Sequence, residues 1–323
     1  MKKFLLRTFL FLLPLALLLM GGEAVLRLHP NAAKAKDKAM RLTGSIIDTL
    51  ILGSSHAYYG LCPELLGRNA YNAAQVSQTL KYDEFILNRY ALPRLRAVVL
   101  TVSDFSFYEE LEGTPSWYLA GRYRMYMGCD YHSLASAYAW EAAAFPVFAK
   151  KLLALCQPPR ERWSLRGQGL EYTLENRAAD WDNGSTRAAV NRYEDFSHGA
   201  VNEARLCRMA ALCRKRGISL VLVATPLRPS YRAEQNPAQT ADMHRRIERV
   251  AARFPQCRVR IVGRPGVASR KDLVRPLVFR KRKRGCRSGR RPCFRRLSQG
   301  HPHSLKAYMS GPGYLAHAGS LFP

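Results

Sequence analysis

The sequence predicts an α/β fold: a three-layer, doubly wound parallel sheet behind an N-terminal membrane helix. Two observations predict the sheet. Short β-rich runs at 48–53, 69–74, 96–102, 218–224 and 258–262 alternate with stretches of helical periodicity, as parallel sheets with crossover helices require. The first run, Thr49-Leu-Ile-Leu52, ends in Gly53-Ser54-Ser55-His56, a tight turn into a helix at the carboxyl end of a strand, where open α/β sheets build their sites. A third observation predicts the membrane helix: Met1-Lys-Lys precedes an apolar run from Phe4 to Met20, broken by Arg7 and Pro14.

The run is near the lower limit for a bilayer span, and Gly22-Glu-Ala24 is a passable cleavage site, so both a signal peptide and an uncleaved anchor fit. The anchor is favoured because apolar residues continue through Leu26 with only Glu23 interrupting. Lys2, Lys3 and Arg7 keep the N-terminus cytoplasmic, which puts the bulk of the chain outside. Residues 1–26 are thus the anchor and 27–46 a polar juxtamembrane linker. Residues 47–262 form the main domain, and 263–323 a basic tail.

Within the domain, Asp48–Gly53 is the first strand and Asn69–Ala74 a short second strand and turn. Gln78–Tyr90 carries Leu80, Phe85, Ile86 and Leu87 and fits a helix closed by Pro93. Arg96–Val102 is the third strand. Residues 105–180 are aromatic and irregular, helical around Leu134–Leu155, and read as an insertion or cap. Asn202–Arg216 is an amphipathic helix stopped at Gly217. Ile218–Ala224 is the fourth strand, Thr240–Phe254 a helix and Arg258–Val262 the fifth strand.

Composition limits the partners. The 323 residues carry a net charge of +27, unevenly spread: residues 273–323 hold twelve of the fifty-one Lys and Arg and no Asp or Glu. An exported chain seldom meets nucleic acid, so no nucleic-acid partner is expected. The eight cysteines match no zinc or compact disulfide spacing, and Cys207 and Cys213 lie on different faces of one helix, so they should not bridge. No His cluster has metal-ligand spacing, so no metal and no cofactor are expected.

Ser55, on its turn with a helix N-terminus behind it, meets the needs of an acyl-transfer nucleophile. A plain strand-to-helix connection or a phosphate-type turn fits the same four residues. Taken with the later strand ends, the pattern resembles the SGNH or GDSL hydrolase superfamily, and more narrowly its membrane-anchored bacterial members with a Gly-Ser-Ser first block. Gly53-Ser54-Ser55 matches the first block and Asn72-Ala-Ala-Gln-Val-Ser77 the second. Thr101-Val-Ser-Asp104 matches the third, and Ser219–Pro226 the strand before the catalytic loop. The likeness covers about residues 45–262.

The resemblance implies a flavodoxin-like sheet, Ser55 as nucleophile, and a site built from Gly53, Ser54, Asn72, Ala74, Ser103 and Asp104. Oxyanion donors would be the N–H groups of Ser55 and Ala74, with the Ser103 hydroxyl. The implied substrate is an O-acyl ester, such as an acetyl group on an envelope polysaccharide. Ala74 and Ser77 stand where the family has glycines and Ser103 where it has asparagine; loss of one oxyanion donor costs roughly a hundredfold in rate.

The family's last block, Asp-x-x-His, supplies the base and its orienting carboxylate. Here the chain after Val262 is Arg-rich, including Arg280-Lys-Arg-Lys-Arg-Gly-Cys-Arg-Ser-Gly-Arg-Arg291. One reading is a basic arm for anionic lipid or wall polymer, which would make the chain a membrane-surface interaction protein. The other is a reading-frame slip. Codons from Arg275 onward admit a neighbouring frame beginning Asp-His-Leu, and a slip just after Asp272 would let that residue supply the missing Asp. The polypeptide as written would then be inactive.

Asp195-Phe-Ser-His198 has the right spacing for an alternative base pair but precedes the fourth strand, out of the family's order, and reads better as a polar loop pair. His56 adjoins Ser55 and is expected to point away from it. Trp181-Asp-Asn-Gly184 reads as an anchor beside a turn in preference to a sugar-stacking platform.

Overall fold

The structure is a computed structural model and describes residues 1–130, 139–157, 162–172 and 183–261. The predicted α/β class is observed. Five parallel strands, β1 (Thr49–Leu52), β2 (Ala70–Asn72), β3 (Ala97–Thr101), β4 (Ser219–Ala224) and β5 (Cys257–Ile261), form one sheet in the order β2-β1-β3-β4-β5.

The near-continuous apolar character of the strands follows from burial on both faces. Leu50, Leu52, Val98, Leu100, Leu220 and Leu222 point into one cluster, while Ile51, Val99, Val221 and Val223 point into a second. The first face is covered by α5 (Leu80–Arg89), α9 (His198–Lys215) and α11 (Pro237–Arg253), which contribute Ile86, Leu206, Met209 and Ile247. The second receives Ala57, Tyr58 and Tyr59 from α3 (Ser55–Gly60) and Leu66 from α4 (Pro63–Leu66). Strand order and handedness explain the division. The β1-to-β2 step runs opposite to the other three, so right-handed crossovers put α3 on the face that α5, α9 and α11 leave open.

At the N-terminus, α1 (Lys2–Leu28) is long and apolar enough to cross a membrane. Residues 27–46 correct the linker expectation: α1 runs on through Leu28, and α2 (Ala32–Thr43) follows, its N-terminus capped by Asn31 Oδ1 accepting the Lys34 N–H at 3.0 Å. Ala33, Lys36 and Met40 recur at helical spacing and are buried. A buried Lys in that stripe concealed its inward face from a polarity reading.

The segment read as an insertion or cap divides in two. Phe107, Tyr108, Leu111, Tyr123 and Met127 belong to the main core, the last two on α6 (Ala120–Met127), which stops at Gly128 in the left-handed region, φ +69°. Beyond it, α7 (Phe145–Ala154) packs on α1. The described residues also form two short α-helices, α8 (Ser185–Val190) and α10 (Pro229–Ala233). Cys207 and Cys213 are both free thiols.

Candidate functional site

The Gly53-Ser54-Ser55 turn is over-determined by its surroundings. Gly53 has φ +122°, and a Cβ there would lie 2.1 Å from Thr101 Oγ1, so only glycine fits. Its N–H donates to Asp83 Oδ1 at 2.8 Å. Ser54 is buried, extended, and caps α3; its carbonyl accepts the N–H groups of Ala57 and Tyr58 at 3.0 Å. Ser55 is therefore delivered as the first residue of α3, half-buried, on the wall of a cavity of about 540 Å³. Helix α3 has only six residues, so its contribution at Ser55 is the orphan N–H groups of one turn more than a long-helix dipole.

The other expected site residues of the second and third blocks, Asn72, Ala74, Ser103 and Asp104, are already engaged. Asn72 is fully buried; its Nδ2 donates to the carbonyls of Ala57 at 2.8 Å and Leu61 at 3.0 Å, and its Oδ1 accepts the Ala74 N–H at 3.1 Å. That Asx turn corrects one expectation: the Ala74 N–H is not free for an oxyanion in this conformation, because Asn72 holds it. Ser103 Oγ lies 2.6 Å from His56 Nδ1, and the Ser103 N–H donates to Ser106 Oγ at 2.9 Å. The Ser103 hydroxyl therefore faces His56 and not the cavity. His56 turns inward to Ser103 and Thr225 and packs edge-on against Phe105. Burial, with the charge of Arg187 adding, pushes its imidazole down to about 4.

Asp104 accepts hydrogen bonds from Tyr231 Oη at 3.1 Å and Gln235 Nε2 at 2.8 Å. It thus ties the end of β3 to α10 and the start of α11, and does not line the cavity. Asp195 and His198 are exposed at the N-terminus of α9, where Asp195 accepts the Ser197 N–H and hydroxyl, each at 2.8 Å. Neither lines the cavity with Ser55; Asp195 closes a local turn onto Ser197 ahead of α9. Asp272, the whole tail, Trp181 and Asp182 lie outside the described residues. Asn183 accepts the Ser185 N–H at 3.1 Å, a turn role.

Several residues of the site carry no motif. Lys36 Nζ donates to the carbonyls of Asn72, at 3.0 Å, and Ala74, and lies 4.3 Å from the Tyr58 ring centroid. It braces the second block from behind, and the stripe Ala33, Lys36, Met40 was its only sequence signal. In the cavity wall, Tyr59 Oη donates to Glu171 at 2.9 Å, while Glu141 pairs with Lys151 and accepts from Tyr126 Oη at 2.7 Å. Burial alone would raise the Glu141 carboxyl; the charges of Arg122 and Lys151 outweigh it and hold it below its ordinary value. Arg122 Nε is buried without a hydrogen-bond partner. Ser77, also on this wall, is the one non-glycine with positive φ among the described residues, +56°. His29, from the end of α1, lines the cavity too.

Among the described residues no group of three His, Cys, Asp or Glu side chains could hold a metal. No family model, no curated protein and no solved structure matches the chain.

Proposed function

We propose that this chain is a membrane-anchored serine esterase or acyltransferase of SGNH type, acting outside the bacterial cytoplasm on O-acyl groups of cell-envelope glycans. The observation that carries the reading is Ser55, held on a glycine-dependent turn at the carboxyl edge of a parallel sheet and opening on a large cavity. The strand order supports the three-layer SGNH arrangement, and α1 supports the anchor.

In this reading Ser55 Oγ attacks the acyl carbonyl and its proton passes to the His of the terminal block, with Asp272 as that block's carboxylate. All five strands are parallel, so the chain leaves β5 at the edge where Ser55 stands, and a base following β5 starts on the correct side. The Ser55 N–H faces the developing oxyanion. Without the terminal block the serine has no base, and the chain as written is inactive.

A fluorophosphonate probe tests this. Ser55 is expected to stay unlabelled in the chain as written and to label when the terminal frame is restored, with Ser55→Ala as the control. Labelling of the chain as written overturns the claim that the block is missing. Sequencing the genomic DNA across codons 262–323 tests the slip itself. One observation favours a second reading, a non-catalytic binding or scaffold protein of the envelope on the same fold: the Ala74 N–H and the Ser103 hydroxyl are both occupied. A frame-restored chain that still resists the probe would select it.

A further inference from the structure

The cavity in front of Ser55 is built partly from the membrane helix. The apolar run of α1 ends at Met20, and Leu26, which lines the cavity, follows six residues later, roughly 9 Å along a helix. That height is fixed by a buried junction. Glu23 accepts from Arg27 Nε at 2.6 Å and from the N–H groups of Glu141 and Ala142 at 3.0 and 2.9 Å. The Arg27 guanidinium lies 5.4 Å from the Trp140 ring centroid. Gly22 packs so closely on α7 that a Cβ there would come within 2.6 Å of the Phe148 ring.

The two sides of α7 differ. Its outer side presents Phe145 and Leu153, 59% and 69% exposed, next to Trp140, 55% exposed. These extend the apolar surface of α1 beyond its membrane run, as an interfacial helix does. Its inner side gives Val147, Lys151, Ala154 and Leu155 to the cavity. Among the described residues, the cavity wall carries Arg122, Lys150, Lys151 and Arg162 beside the carboxylates Glu141 and Glu171. Glu141 is already paired with Lys151, and Arg122 keeps a buried N–H donor without a partner. An apolar wall toward the bilayer and a described lining with more cations than carboxylates suit a phosphate carried on a lipid.

We propose that this cavity binds the phosphate-bearing head of an anionic phospholipid whose acyl chains stay in the leaflet beside α1 and α7. The inference rests on reading α1 as a membrane span, and it makes the substrate presented to Ser55 a lipid-borne one.

The test uses the full chain in phosphatidylcholine nanodiscs containing a minor fraction of phosphatidylglycerol with a diazirine near the head-group end of one acyl chain. After photolysis, crosslinks are expected on peptides holding Tyr118 and Leu155, besides those on α1. Excess unlabelled phosphatidylglycerol should remove the cavity crosslinks, and soluble glycerophosphoglycerol at the same concentration should not. Arg122→Gln and, independently, Ala154→Phe should each lower them roughly tenfold, a loss of about 1.4 kcal/mol in binding. Crosslinks to α1 and an unchanged melting temperature show that each variant is folded.

Crosslinks confined to Phe4–Met20, Phe145 and Leu153 overturn the proposal. So does equal labelling by a phosphatidylcholine probe, or competition by the soluble head group alone. Fluorophosphonate labelling of Ser55 in the frame-restored chain is read separately. Cavity crosslinks without serine labelling keep the lipid site and remove the esterase; serine labelling without cavity crosslinks does the reverse.

Discussion

Ser103 Oγ and His56 Nδ1 meet at 2.6 Å behind the Ser55 turn, joining the first and third sequence blocks through a buried hydrogen bond. The contact turns the histidine adjoining Ser55 into a support for the turn.

Replacing Ser103 by Ala leaves a buried imidazole nitrogen with only the 3.4 Å contact to Thr225 and is expected to cost about 1–3 kcal/mol, measured by denaturant unfolding at neutral pH. Acid should act on the same histidine. Its folded value of about 4 lies below its ordinary 6.5, so the neutral ring contributes stability that is whole above pH 6.5 and declines as pH falls toward 4. His56→Gln should flatten that decline. An unaltered acid limb would show that His56 does not titrate with unfolding.

Asp83 behaves with the opposite sign. It accepts the Gly53 N–H and Gln78 Nε2 at 2.8 and 2.7 Å, yet burial raises its carboxyl from 3.8 to about 7. Burial raises Glu109 to about 7 as well. The protonated acid stabilises the fold below pH 4, and that contribution is lost as pH rises through 7. Asp83→Asn keeps the acceptor and removes the titration. Its melting temperature should exceed that of the parent at pH 8 and converge with it at pH 4; a constant difference across that range would reject the assignment.

Ser77 and Gly53 make a matched pair of tests. Ser77 holds φ +56° without the freedom of glycine, so Ser77→Gly should stabilise by roughly 0.5–1 kcal/mol, the relief of left-handed strain less the entropy glycine loses. Gly53→Ala combines φ +122° with a 2.1 Å approach to Thr101 Oγ1 and should destabilise by several kcal/mol. Thermal melts of both variants check the pair.

Glu23→Ala strips Arg27 and the N–H groups of Glu141 and Ala142 of their shared acceptor. The expected cost is about 3 kcal/mol or more, from a part-buried cation and two unsatisfied donors. It should appear as faster hydrogen exchange in residues 139–151 while the sheet keeps its protection.

Much of the scaffold was legible because its signals are local. Runs such as Ala97-Val-Val-Leu-Thr101, buried on both faces, look the same in any chain that folds this way, and Gly217 in the left-handed region, φ +67°, ends α9 where a stop signal was read. Asn72 was legible as a site residue but not its task, since its partners Ala57 and Leu61 lie more than ten residues away. Lys36 was hidden but for its place in the Ala33, Lys36, Met40 stripe, because lysine on a short polar helix normally faces water.

The sequence by itself determined the strand-helix alternation, the apolar N-terminal run and the turn that carries Ser55, all consequences of side-chain period and backbone sterics within a few residues. Only the tertiary structure decided which polar groups are spent. Hydrogen bonds between distant segments assign Asn72 to Ala74, Ser103 to His56 and Lys36 to the second block, and those assignments leave Ser55, alone among the three blocks' expected donors, facing open space.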